Sequence, residues 1–179
     1  VCAFQYKRDA QRFYQTLGKR LGKFGLTLAM DKTNIINFSR LSKRDNTSFE
    51  FLGFEFRWGV SSRGTRCVKK RTSRKKLRKS LENFKNWCNE NRTLRLKELF
   101  QMINVKLRGY YNYYGVIGNY DSINEFNLKA KRILFRCLNR RSQRRSYTWE
   151  QFKAVLRWYG MLTPRITEQR RKQLTMKFV

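Results

Sequence analysis

Apolar side chains recur at helical spacing near the start of the chain. Ala10, Phe13, Tyr14, Leu17, Leu21 and Phe24 mark one face of a helix over residues 7 to 24, and Gly25 is placed to stop it. "LTLAM" and "TNIINFS" then read as short extended segments around Asp31-Lys32-Thr33, and "SRLSKRDNTS", residues 39 to 48, as a polar loop. In "FEFLGFEFRWGV", Phe49, Phe51 and Gly53 alternate with Glu50, Leu52 and Phe54. This period of two predicts a strand, with Arg63-Gly64 turning the chain into a return strand at "TRCVKK".

From residue 69 onward the pattern is helical. Leu77, Leu81, Phe84 and Cys88 form the stripe of a helix over 73 to 90, and Leu96, Leu99, Phe100, Ile103 and Leu107 that of a helix over 94 to 114. Ser122-x-x-Glu125 reads as a capping box opening a helix that runs to about Leu138. Thr148-x-x-Gln151 opens another, carrying Trp149, Phe152, Val155 and Leu156, and Thr163-Pro164 ends the ordered reading. The expected class is α+β, mostly helical: a helix plus β-hairpin over 1–68, an all-helical bundle over 69–165 and a polar tail over 166–179.

The run "LRGYYNYYG" places four tyrosines at the end of the 94–114 helix. At about 100° per residue, Tyr110, Tyr111 and Tyr114 continue the core stripe. Tyr113 falls off the stripe near Lys106, where it can meet a nucleobase, and Arg108 points further outward.

Composition adds a polyanionic partner to this picture. The 179 residues are 40% hydrophobic and 15% aromatic with a single proline, which is the profile of a folded domain. Forty-two Lys plus Arg oppose twelve Asp plus Glu, a formal net charge of +30. Self-repulsion on that scale calls for a screening polyanion, nucleic acid first and an anionic membrane surface second. The charge is clustered. Residues 66 to 79 hold Arg66, Lys69, Lys70, Arg71, Arg74, Lys75, Lys76, Arg78 and Lys79 without an acid. Residues 129 to 145 add Lys129, Lys131, Arg132, Arg136, Arg140, Arg141, Arg144 and Arg145, again without one. A merely solvated helix face would interleave acids as intrahelical partners; here cationic faces are left open to phosphate.

The same composition removes several chemistries. There is no histidine, and Cys2, Cys67, Cys88 and Cys137 are widely spaced, so no zinc site is expected. Scattered reduced thiols and an intracellular reducing compartment are the simplest reading. No apolar run reaches the length of a membrane span. The twelve acids are dispersed, with no Asp-Asp or D-x-D pair to hold a catalytic metal pair, so these residues alone form no complete active site.

The order "RFYQTLGKRLGKFGLTLAMDKTNIINF", "FEFLGFEF", "LRGYYNYYG" and "LNRRSQRRSYTWE" strongly resembles the reverse transcriptase/maturase encoded by bacterial and organellar group II introns, over residues 1 to about 165. The resemblance implies the end of a polymerase palm over 1–68 and the thumb and maturase-specific domain over 69–165. In that family the polymerase signature Tyr-Ala-Asp-Asp comes immediately before the segment resembling "VCAFQYKRDA", so the catalytic aspartates and their Mg2+ are expected of a full-length polymerase and not of these residues. By position, Lys32 matches a lysine that approaches the incoming triphosphate. Phe51, Leu52, Gly53 and Phe54 resemble the primer grip, a hairpin that places the primer end. Lys69, Lys70, Arg71, Arg74, Lys75, Arg78, Lys79, Arg108, Tyr113, Arg136, Arg140, Arg141, Arg144 and Arg145 become the expected RNA-binding residues. The implied partners are group II intron RNA, an RNA template and a DNA primer, in a bacterial cytoplasm or an organelle. The implied functions are RNA splicing and RNA-directed DNA synthesis, the alternative being a stand-alone, non-catalytic RNA-binding splicing cofactor, a degenerate maturase.

Overall fold

The computed structural model describes residues 1–39, 47–141 and 146–168. They form, in order, α1 (Lys7–Gly22), a 3-10 turn (Met30–Lys32), β1 (Ser48–Phe51), β2 (Phe54–Val60), β3 (Arg66–Thr72), α2 (Arg74–Glu90), α3 (Leu96–Tyr114), α4 (Tyr120–Asn139) and α5 (Trp149–Trp158). The three strands make one antiparallel sheet in the order β1-β2-β3. The class is therefore α+β with helices dominant. Contacts divide the chain into two compact units, residues 1–49 with 57–68 and residues 50–56 with 69–179, and the strands pass from one to the other.

In the first unit α1 ends with the Leu26 amide donating to the Leu21 carbonyl at 3.1 Å, a closure that needs the left-handed Gly25 (φ 68°). No residue of α1 is buried. Aromatic contacts hold the unit locally: Phe4 on Phe13, and Phe38 between Phe49 and Trp58. The expected extended segments are not strands. Within "LTLAM" and the residues after it, the chain closes a 3-10 turn in which the Lys32 amide donates to the Ala29 carbonyl, and the Thr33 hydroxyl donates to that same oxygen at 2.7 Å. Ala29 and Thr33, on either side of the turn, keep the extended backbone expected there.

The expected single strand over "FEFLGFEFRWGV" is in fact two. Leu52 (φ 50°) and Gly53 (φ 79°) both sit in the left-handed region and form a two-residue turn that folds β1 onto β2. Alternation of side chains continues through the turn, so periodicity alone does not reveal it.

The second unit owns the core. Leu77, Phe84 and Cys88 of α2, the stripe Leu99–Phe100–Ile103–Leu107–Tyr111 of α3, and Ile123, Phe126, Ala130, Leu134, Cys137 and Leu138 of α4 are buried together with Phe152, Leu156 and Met161. Removing one such large apolar side chain from water stabilises by about 1.5–3 kcal/mol. The Thr148/Gln151 capping box forms as expected, with both reciprocal bonds present. Ser122 and Glu125 do not cap α4. The helix begins at Tyr120 with Asn119 as its N-cap residue, and Glu125 pairs instead with Lys129 one turn on. Asn119 caps nothing with its side chain because that side chain is engaged elsewhere. Its Oδ1 accepts from the Thr72 amide at 2.7 Å, and its Nδ2 donates to Thr72 Oγ1 and to the Tyr114 carbonyl. One buried amide thus ties the end of β3 to the end of α3 at the start of α4.

Candidate nucleic-acid interface

The hairpin tip and the first turn of α2 form one end of the candidate interface. Ser73 is the N-cap of α2; its hydroxyl accepts from the Lys76 amide, and its own amide donates to the Gly53 carbonyl at 2.9 Å. The Tyr113 hydroxyl donates to the Leu52 carbonyl at 2.8 Å, and the Tyr113 ring lies nearly parallel to that of Phe54 with centroids 6.0 Å apart. Tyr114 meets the same Phe54 edge-on. A Cβ on Gly53 would come within 3.1 Å of the Tyr114 hydroxyl. The hairpin therefore rests on α3 at the one residue small enough to allow it. Between them lies a cavity of about 480 Å3 lined by Glu50 to Gly53, Lys76, Tyr113 and Tyr114.

Electrostatics at the start of α2 run against the helix. Its first turn carries Arg74, Lys75 and Lys76 and no acid, although a helix N-terminus favours anions. All three are exposed, as are Arg78 and Lys79. Cations crowded on a positive helix end cost stability by themselves.

The remaining expected residues divide by environment. Lys69, Arg108, Arg136 and Arg140 are exposed, and Arg141 is half-buried. Lys70 pairs with Glu168 at 3.1 Å, and Arg71 makes a two-pronged contact with Glu55 at 2.9 Å on each prong. Arg144 and Arg145 lie outside the described residues. Phe51 and Leu52 are exposed, while Gly53 and Phe54 are half-buried. Lys32 belongs to the first unit, exposed on its 3-10 turn. Tyr113 is about half-exposed, whereas Tyr111 is buried and Tyr110 and Tyr114 pack on the core. Burial, then the neighbouring Tyr114, pushes the Tyr110 hydroxyl up from its ordinary value; burial likewise raises Tyr111, so both stay protonated.

A cationic group at the far end of the helices follows from two thiols the spacing gave no reason to pair. Cys88 and Cys137 sit in the last turns of α2 and α4, and the Cys137 Sγ donates to the Cys88 carbonyl at 3.0 Å. All four cysteines are free. Donation from the Cys88 thiol to the Cys137 sulfur, and then the charges of Arg141, Arg92 and Arg140, hold the Cys137 thiol below its usual range, while Cys88 is pushed up. Arg92 joins this group from just beyond α2; no pattern marks it in the sequence, because only the meeting of the helix ends brings its charge to bear on Cys137. Lys76 of the 66–79 cluster lines the hairpin cavity, and the Lys106 ammonium lies 4.8 Å from the Trp87 ring centroid.

Among the described residues no cluster of three or more Cys, Asp or Glu side chains could hold a metal ion, and no helix is long and apolar enough to cross a membrane. These donors do not fit a catalytic magnesium pair, so no step through one is assigned to them.

Residues 77–158 match the group II intron maturase-specific domain. No curated protein and no solved structure matches the chain. The maturase-specific match spans α2 to α5, the helices that share the buried core. Its first residue, Leu77, lies just after the cationic turn of α2, so that turn and the hairpin lie outside the match.

Proposed function

We propose that this chain binds group II intron RNA and so supports its splicing. The RNA supplies the chemistry, and the protein supplies counter-charge and shape. The observation that carries this reading is the acid-free, exposed cationic start of α2, set against the maturase-specific helices. A helix end that repels its own side chains is relieved when phosphate arrives. The second cationic group, Arg92, Arg140 and Arg141, gives the same RNA another contact. Within the same proposal, the hairpin Phe51–Phe54 handles a template–primer as part of a reverse transcriptase. Its support is the close seating of the hairpin on α3 and the resemblance of "FEFLGFEF" to a primer grip. The test is affinity for a transcribed group II intron as salt is varied, beside splicing of that intron at limiting Mg2+. A steep negative slope of log affinity on log salt, with splicing accelerated by the protein, supports the proposal. Weak, salt-insensitive binding with no effect on splicing defeats it.

A further inference from the structure

A second cavity, of about 240 Å3, opens where α2, α3 and α4 meet. Its floor is aromatic. The rings of Tyr110 and Phe126 stack with centroids 3.8 Å apart and planes 17° apart, and Phe84 meets Phe126 edge-on. Its rim is polar and carries no acid: Ser80 and Asn83 come from α2 and Lys106 from α3. A serine hydroxyl and an asparagine amide each offer a donor and an acceptor, the groups that recognise the edge of a heterocycle. Lys106 is positioned by the Trp87 ring, with its ammonium 4.8 Å from the ring centroid. Lys76 lies four residues before Ser80 and seven before Asn83, so all three share one face of α2. A strand that follows the cationic start of α2 is thus led along that face to the cavity.

We propose that this cavity receives one unpaired nucleobase of the bound RNA. The base lies against the aromatic floor, its edge meets Ser80 and Asn83, and Lys106 holds the adjoining phosphate. An aromatic floor tolerates any base, and the amide and hydroxyl restrict the edge presented to them. A paired base cannot enter, so the site selects RNA with a bulge or loop over continuous duplex. The inference rests on the RNA-binding reading above.

The test compares two hairpin RNAs of one sequence, one carrying a single-nucleotide bulge and the other fully paired. The wild-type chain is expected to bind the bulged RNA about tenfold more tightly, the scale of one base stacked on protein. The Ser80→Ala/Asn83→Ala double variant alters no charge, so it should keep its affinity for the paired hairpin. Its preference for the bulge should fall at least fivefold. Ser80→Phe, which fills the cavity, should abolish the preference. Equal binding of both RNAs by the wild type overturns the base pocket while leaving the RNA-binding reading intact, as does an unchanged preference in the variants. Failure of the wild type to bind either RNA overturns both.

Discussion

The Tyr113 hydroxyl donates a 2.8 Å hydrogen bond to the carbonyl of Leu52, 61 residues earlier in the chain. A side chain that helical periodicity places off the core stripe is therefore occupied by protein. Tyr113→Phe keeps the ring and its contact with Phe54 but removes this bond, and should destabilise by about 1 kcal/mol in a denaturant titration. Tyr113→Ala removes the ring as well and should cost more. If Tyr113 acts chiefly by seating the hairpin, Tyr113→Phe and Tyr113→Ala should weaken RNA binding in proportion to their effects on stability. If its ring stacks on a base, Tyr113→Phe should bind as the wild type does and Tyr113→Ala should bind poorly.

The turn beneath that bond yields a sharper contrast. Gly53 and Gly64 both adopt positive φ, 79° and 74°, but only Gly53 faces a neighbour, the Tyr114 hydroxyl. Gly64→Ala should therefore cost only the backbone penalty, about 1–2 kcal/mol. Gly53→Ala should cost more, because Tyr114 must also give way. Leu52 is a non-glycine residue in the same left-handed region and is 66% exposed. Asn accepts that conformation far better, so Leu52→Asn should stabilise the chain by about 0.5–1 kcal/mol. Thermal melts of the three variants check the order. A more stable protein that has lost RNA binding would mark Leu52 as a contact held in place at a cost.

The helices were legible because their apolar stripes have lengths and periods that no strand shares. Leu77, Phe84 and Cys88 are buried on the face the spacing named, as is Tyr111. Boundaries were less legible wherever a side chain had a better partner at long range. Asn119 begins α4 because Thr72 and Tyr114 hold its amide, and Ser122 then falls inside the helix. The two-residue turn at Leu52-Gly53 was hidden by an alternation that runs through it. At the interface, charge density was plain in the sequence, but its distribution was not. Nothing local distinguishes Arg71, which Glu55 holds, from Arg78, which is exposed. Arg92 and the Cys88–Cys137 contact arise only when two helix ends meet.

The ordered chain also continues past Thr163-Pro164. The Thr167 amide donates to the Gly115 carbonyl at 2.7 Å, and Glu168 accepts from the Ile117 amide at 2.6 Å while pairing with Lys70. The Ile117 bond, then Lys70, holds the Glu168 carboxyl below its ordinary value of 4.5. A carboxyl lowered by folding stabilises the fold above its unfolded value, and that contribution is lost as pH falls through the folded value. The attachment of residues 167 and 168 should therefore persist at neutral pH and weaken only below about pH 4.5. The Ile117 amide proton resonance should titrate with a midpoint below the ordinary carboxylate value, and Glu168→Gln should abolish the titration. At neutral pH the same variant frees Lys70 from its ion pair.

The basic cluster of 66 to 79 should not act as a unit. Arg71 lies in a two-pronged pair with Glu55, which is only 15% exposed, whereas Arg78 and Lys79 stand on the open face of α2. Replacing Arg71 with alanine should destabilise the chain by about 1 kcal/mol, since Glu55 loses a half-sheltered partner. It should leave the salt dependence of RNA binding unchanged. Arg78→Ala and Lys79→Ala should do the opposite, with little effect on stability. Each should make the slope of log affinity on log salt less steep by about 0.7–0.9, the change for one lost phosphate contact. Titrations of structured RNA between low and physiological salt, run beside denaturant melts, measure both quantities on each variant. A flattened slope for Arg71→Ala would show that RNA binding breaks the Glu55 pair and recruits its arginine. In that event Glu55→Gln should strengthen RNA binding.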